Sequence, residues 1–268
     1  MPETNKEKTL FAGFLQFDVR SGEIISNLSR VEQGLSEIAA SGTRISPGII
    51  VLPELWATGF AYNKLPELTR EIPDILKILQ NLATEYEIII AGSLPEYADN
   101  TFYNTLFISD PSGIAGTYRK QRLFSPMQED SFFTPGTEPL PVQTDLGPIG
   151  GLVCYDLRFP ELLRKQTGDG ADLAVVSAQW PAVRIDHWRI LLQARAVENQ
   201  MFVIAANRCG KTGDTSFGGH SMIIGPEGSI LLEAGEEEEF KGELLDIGLL
   251  SSARSLFRSL PDRKTKDL

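Results

Sequence analysis

Residues 149–161 read Ile149-Gly150-Gly151-Leu152-Val153-Cys154-Tyr155-Asp156-Leu157-Arg158-Phe159-Pro160-Glu161. A glycine-rich apolar run of strand length ends at Cys154, and Pro160 then opens a short helix towards Gln166. The next apolar run, 172–177, predicts a buried strand; 184–199 predicts a long helix and 201–207 a further strand. Strands alternating with helices predict an α/β architecture with helices covering the sheets.

The same alternation extends towards the N-terminus. Residues 10–17 form an apolar run bounded by charge. Over 23–40, Ile24, Leu28, Val31, Leu35 and Ile38 recur at spacings of three and four, which predicts an amphipathic helix. Residues 48–52 read as a strand ending at Pro53-Glu54, and 66–85 as a helix in which Pro73 predicts a break or a restart. Strands are expected at 88–93 and 104–109, then a turn at Pro111-Ser112-Gly113 and a strand at 117–120. On the C-terminal side, 221–225 and 229–233 flank Pro226-Glu227-Gly228 as a hairpin, Glu236 to Glu239 suggest a solvated loop, and 243–247 is the last expected strand. About ten strands strain a single open sheet, so two packed sheets with helices outside are the economical arrangement. No internal repeat or linker divides the chain, and one domain over 1–268 is expected. Its tail, 248–268, would be either frayed or an arm packed on a neighbouring subunit.

The chain has 268 residues, an apolar fraction of 42% and a net charge of −11. An ordinary globular core is within reach. The acidic balance points away from DNA, RNA and anionic membranes, which need a positive surface, although local arginines can still receive a small anion. With only two cysteines, Cys154 and Cys209, a disulfide scaffold is not expected. The apolar stretch 10–17 stops at Asp18 without a small-residue cleavage site, and no segment approaches the ~20 apolar residues that span a bilayer. A cytoplasmic protein is the expectation.

Several motifs fail on inspection. Gly210-Lys211-Thr212 lacks the glycine a phosphate loop needs five residues earlier, where Ala205 stands. No G-x-S-x-G elbow and no G-x-G-x-x-G after a strand occur. His187, His220 and two widely spaced cysteines do not make a structural zinc pattern.

Three residues carry chemistry together. Cys154 lies at a strand–helix junction, where α/β folds keep their sites, yet a free cysteine is also a common core residue. Glu54, among Leu55, Trp56 and Ala57, is either an exposed strand end or a buried carboxylate with a raised pKa. Lys120, within Tyr118-Arg119-Lys120-Gln121-Arg122, is either a solvated face or a cation that would favour a thiolate and meet an oxyanion. Taken together, Leu52-Pro53-Glu54-Leu55, Tyr118-Arg119-Lys120 with Leu123-Phe124, and Cys154-Tyr155-Asp156-Leu157-Arg158-Phe159-Pro160-Glu161 resemble the glutamate, lysine and cysteine motifs of the nitrilase, or carbon–nitrogen hydrolase, superfamily. The resemblance covers nearly the whole chain. It implies a four-layer α-β-β-α sandwich, a Glu54–Lys120–Cys154 triad, a second glutamate at Glu129 (with Asp130 competing), and no metal or organic cofactor. Arg122 departs from the histidine that close relatives often carry there.

Residues 177–184 with His187-Trp188, and 193–200 running into Asn207-Arg208, look like the ω-amidase branch, whose members deamidate 2-oxoglutaramate and related ω-amides. A carboxylate-bearing substrate needs a cation and an apolar wall. Arg158 and Arg184 are the candidate cations, either of which could instead form a structural salt bridge, and Trp180 is the wall or plain core. The Tyr155 amide is the expected oxyanion donor. His187 and Cys209 are expected to be spectators. An aliphatic nitrilase, an N-carbamoyl amino acid amidohydrolase or a silent binding protein are the rival readings. A homodimer or larger homo-oligomer is implied by the resemblance.

Overall fold

The structure, a computed structural model, describes residues 9–138, 140–257 and 259–260. Strands β1 (Thr9–Gln16), β2 (Gly48–Val51) and β3 (Ile88–Ala98) run parallel and are joined by helices α1 (Ile24–Ala40) and α2 (Leu65–Tyr86). Strands β4 (Thr101–Asp110) and β5 (Gly113–Arg119) extend this sheet as an antiparallel meander. The chain then crosses to a second sheet, entered through β6 (Val142–Thr144) and β7 (Gly147–Val153). Helix α3 (Pro160–Gly168), β8 (Leu173–Ala178), α4 (Ile185–Asn199) and β9 (Phe202–Asn207) continue it with β7, β8 and β9 parallel. A small hairpin, β10 (Lys211–Thr212) and β11 (Thr215–Ser216), precedes β12 (Met222–Ile224) and β13 (Ile230–Glu233). Finally β14 (Glu239–Asp246) returns to the first sheet beside β1, and α5 (Gly248–Leu256) follows. The two six-stranded sheets have the orders β14-β1-β2-β3-β4-β5 and β13-β12-β9-β8-β7-β6.

Strand periodicity explains the layers. Successive side chains point to opposite faces, so Ala12, Phe14, Ile49 and Val51 meet Val153, Val175, Ile204 and Ile223 between the sheets. Phe11, Leu15 and Ile50 point the other way, against Val31 and Leu35 of α1 and Ile75 and Leu79 of α2. On the far side, Ala174, Val176 and Val203 pack with Trp188, Leu192 and Ala196 of α4. Strands buried on both faces read as continuous apolar runs rather than alternations. The result is the four-layer α-β-β-α sandwich anticipated above. Gly151 allows its closest approach: a Cβ there would come within 2.6 Å of Leu106 on the opposite sheet. Among the described residues no helix is long and apolar enough to cross a membrane.

Three local expectations are revised. Helix α2 runs unbroken through Pro73, which is exposed. The carbonyl that Pro73 leaves without a helical partner, that of Thr69, lies on the same outer face, while Ile72, Ile75 and Leu79 bind the inner face to the core. The glutamate run is only partly loop: Glu238 pairs with Arg30 and accepts from the Asp18 amide at 3.1 Å, and Glu239 begins β14. Residues 248–256, read from sequence as part of a tail, form a helix docked on the chain's own second sheet. There Arg254 meets Asp172 at 2.7 Å and Gln200 Nε2 donates to the carbonyls of Ala253 and Phe257. The end of that tail, 261–268, lies outside the described residues.

Candidate active site

The ends of β2, β5, β7 and β8 open towards one cavity of about 340 Å³. At the end of β7 the backbone turns sharply. Cys154 takes a φ of 47°, a left-handed conformation that a residue with a Cβ adopts only when its surroundings impose it, and a 3-10 turn, Cys154–Arg158, follows. Asp156, fully buried, holds this turn. Its Oδ2 accepts from the Val153 amide (3.1 Å) and the Tyr118 hydroxyl (2.9 Å), and its Oδ1 from the amides of Gln121 (3.2 Å) and Arg122 (2.8 Å). One carboxylate thus ties the cysteine turn to the lysine segment. Burial raises it to about 6, and the pull of Lys120 and those donors opposes the rise.

Glu54, Lys120 and Glu129 are buried to within 2% and form one cluster. Lys120 Nζ donates to Glu54 Oε1 (2.7 Å) and to both oxygens of Glu129 (2.9 and 2.8 Å). All three ammonium protons are therefore engaged. Asn104 Nδ2 adds bonds to Glu54 Oε1 (2.9 Å) and Glu129 Oε1 (3.0 Å), and the Phe124 amide donates to Glu129 Oε2 (2.7 Å). Each oxygen of Glu129 already accepts two donors. Glu54 Oε2 differs: among the described residues it accepts from the Gln179 amide at 3.2 Å, in a carboxyl that also meets the Cys154 thiol. The Glu54 turn is fixed by two buried serines, Ser177 Oγ donating from the opposite sheet to Leu52 O (2.9 Å) and Ser93 Oγ on neighbouring β3 accepting from the Leu55 amide (2.8 Å).

Electrostatics follow from this burial. Loss of water raises the Glu54 carboxyl and the Glu129 charge adds to the rise, with Lys120 opposing. Burial disfavours the Lys120 ammonium, but Glu129 and Glu54 outweigh it and hold the lysine well above its ordinary value. For Cys154, burial and the Glu54 charge push the thiol well above its usual range, and Lys120 does not compensate. Lys120, read from the sequence as a solvated face or a cation favouring a thiolate, is buried on Glu54 and Glu129, and its pull on the thiol is outweighed. Burial thus favours the thiol form and places it beside a carboxyl that can take its proton.

All eight residues singled out from the sequence line this one cavity: Glu54, Lys120, Glu129, Cys154, Tyr155, Arg158, Trp180 and Arg184. Asp130, the competitor of Glu129, is exposed and outside it. Arg122 also stays outside, 3.5 Å from Glu161 and over the Phe159 ring, so its departure from the relatives' histidine leaves the lining unchanged. Trp180 is 2% exposed and combines wall and core: Arg158 stacks over it at 4.7 Å while Trp188 packs behind at 5.6 Å. His187 lies 3.4 Å from the Arg158 guanidinium but does not line the cavity. Cys209 is buried elsewhere, its thiol pushed by burial up to about 12.

Sequence reasoning missed Asn104, Asp156, Gln179 and Tyr62. Gln179 Nε2 donates to Glu54 O at 2.7 Å and its Oε1 accepts from Arg208, so it braces the glutamate turn. Tyr62 closes the cavity beside Phe60, stacked on Phe132 at 4.9 Å. Only Asp156, two residues past the cysteine in an apolar turn, had a local signal, that of a side chain bonding nearby backbone amides.

The sequence profile of the carbon–nitrogen hydrolase family matches residues 12–245. Over 259 residues the chain is 38% identical to a 2-oxoglutaramate amidase of Bacillus subtilis (strain 168), covering 95% of this chain and 97% of that protein. It is 35% identical over 187 residues to the omega-amidase YafV of Escherichia coli (strain K12), covering 69% and 72%. Among solved structures, XC1258 of Xanthomonas campestris, a CN-hydrolase superfamily protein with an arsenic adduct in its active site, superposes with a TM-score of 0.88. It is 27% identical, covering 97% of this chain and 99% of that one. A match across most of the length, on a fold whose cavity gathers a cysteine, a lysine and two glutamates, leaves one conclusion: the chain belongs to the carbon–nitrogen hydrolase family.

Proposed function

We propose that the protein hydrolyses the ω-amide of a small 2-oxo dicarboxylic acid monoamide, such as 2-oxoglutaramate, to the acid and ammonia through a thioester on Cys154. The names of the relatives, 2-oxoglutaramate amidase and omega-amidase, support the substrate class. The observation that carries it lies at the cavity mouth. Arg158 and Arg184 both line it, and neither makes an ion pair among the described residues. Burial and the charge of Arg184 lower Arg158, as expected for two like charges held close together. Two guanidiniums without carboxylate partners, above an apolar wall at Trp180, suit a substrate with an anionic end.

In the proposed reaction the amide carbonyl lies beside Cys154. Glu54 Oε2 takes the thiol proton as sulfur attacks carbon, and the negative charge passes to the carbonyl oxygen. That oxygen is stabilised by the Tyr155 amide and by the positive charge of Lys120. Because the lysine's protons are already engaged, a direct bond from it requires release of one carboxylate oxygen. The C–N bond then breaks, the Glu54 acid gives its proton to nitrogen, and ammonia leaves a thioester. Water, losing a proton to Glu54, attacks the thioester; the acid departs and the proton returns to sulfur. Glu129, saturated by four donors, fixes Lys120 and takes no part in proton transfer.

Ammonia release from 2-oxoglutaramate, a simple nitrile and an N-carbamoyl amino acid tests the substrate class directly. Preference for either of the latter two overturns the reading. Arg158→Met and Arg184→Met are each expected to raise KM for 2-oxoglutaramate roughly 10-fold or more, the loss of a charge-assisted hydrogen bond, with kcat nearly unchanged. A neutral short-chain amide should be unaffected by either change; equal losses on both substrates would mean that the arginines do not read a carboxylate. A homodimer at least, in the cytoplasm, completes the proposal. Exposed Ile190 and Val197, seven residues apart on the outer face of α4, offer a surface for self-association, and the solution mass tests it.

A further inference from the structure

Asn104 sits inside the sheet on β4, 1% exposed, and does not line the cavity. Its position is set by the backbone, where its carbonyl accepts from the Lys120 amide at 2.9 Å, so the asparagine and the lysine are fixed relative to one another. The two Nδ2 protons are divided between Glu54 Oε1 and Glu129 Oε1. The side-chain Oδ1 has no hydrogen-bond partner among the described residues. All the bonding this side chain contributes therefore comes from its NH2 group. The reverse amide orientation would set Oδ1 against two carboxylate oxygens.

Donor counting shows what this does. Two carboxylates share one ammonium, and Coulomb repulsion between them favours a proton staying on one of the two. Lys120 supplies three protons and Asn104 two more, so both Oε1 atoms are doubly satisfied and the less satisfied oxygen of Glu54, the carboxyl that meets the thiol, is Oε2. We propose that Asn104 is a positioning residue of the reaction: by donating to both glutamates at once it keeps Glu54 free of a proton and leaves its basicity on Oε2.

The inference rests on the reading of Glu54 as base, and its test separates the two. Alkylation of Cys154 by iodoacetamide, followed against pH, needs no amide substrate; kcat/KM against pH is measured beside it. In the native protein the alkylation rate should fall below an acid limb as Glu54 protonates. Absence of that limb removes the Glu54 assignment itself. In Asn104→Leu, which keeps the heavy-atom count and branching and loses both donors, the limb is expected to move up by about one unit, a tenfold loss at a fixed pH below it. Above the limb the rate should return to near the native value. Asn104→Asp keeps the shape, adds a third carboxyl, and should move the limb further in the same direction. A purely structural role would instead lower the rate evenly at every pH with the limb unmoved, and that result in either folded variant overturns the proposal. Circular dichroism and thermal melting identify the folded variants; Asn104→Asp carries the test if the leucine variant does not fold.

Discussion

Cys154→Ala is expected to lose turnover of the proposed substrate by about 10⁴-fold or more while the fold persists, because the side chain removed is the atom that bonds the acyl group. Fold persistence follows from the local geometry. The turn at residue 154 is held by Asp156 through the amides of Val153, Gln121 and Arg122 and by the Tyr118 hydroxyl, none of which involves the sulfur. Cys154→Ser should be nearly as inactive. Glu54 is matched to a thiol and is too weak a base for an alcohol, whose intrinsic pKa is far higher. Rapid-quench and intact-mass measurements are the check. The native protein should acquire the mass of an acyl group during turnover and Cys154→Ala should not. Residual activity above about 1% in the alanine variant would remove the nucleophile assignment.

The second large effect is on stability. Lys120→Met leaves Glu54 and Glu129 facing each other, 1% and 2% exposed, with no cation between them. Removing one partner of a buried ion pair typically costs about 3–5 kcal/mol, because the remaining charge stays desolvated. The pH dependence gives the sign. Without the ammonium, the carboxyl pair binds a proton more tightly when folded than when unfolded. Its contribution is then most favourable below the ordinary carboxylate pKa and is lost as pH rises through the higher folded value. Denaturant unfolding at pH 5 and pH 8 should show a larger deficit, relative to the native protein, at pH 8. An equal deficit at both would mean that charge does not organise the cluster. Activity should be absent at either pH, since the oxyanion loses its nearby positive charge.

The layered fold was legible because both sheets are buried on both faces. Apolar runs such as 172–177 and 201–207 needed no alternation to be recognised, and the amphipathic stripe of α1 and the long helical segment of α4 each lay between two such runs. Strand ends were less legible. The β3–β4 hairpin extends to Asp99 and Asn100, whose φ values of 53° and 61° form the turn, beyond the apolar segments that periodicity detects. Pro73 misled because a local rule about a missing donor was outweighed by tertiary packing of the helix's inner face. Within the site, the residues that stood out were those beside turn signals and apolar breaks: Glu54 after Pro53, Lys120 after a strand, Cys154 before a helix. Asn104 and Gln179 were hidden for a shared physical reason. Glu54 is 50 residues from Asn104 and 125 from Gln179, and only the pairing order of the first sheet and the packing of the second against it bring them together.

The pairing of β1 with β14, from Thr9 opposite Asp246 to Gln16 opposite Glu239, has a consequence for how the molecule is made. Ribosomal synthesis delivers β1 long before β14, so β1 waits for every intervening element with one hydrogen-bonding edge bare. Partial chains that stop short of residue 239 leave that edge as a template for sticking to other nascent chains. Long-range closure of this kind slows folding. Emergence of β14, rather than of the strands from β1 to β5, is the event that completes the sheet carrying Glu54.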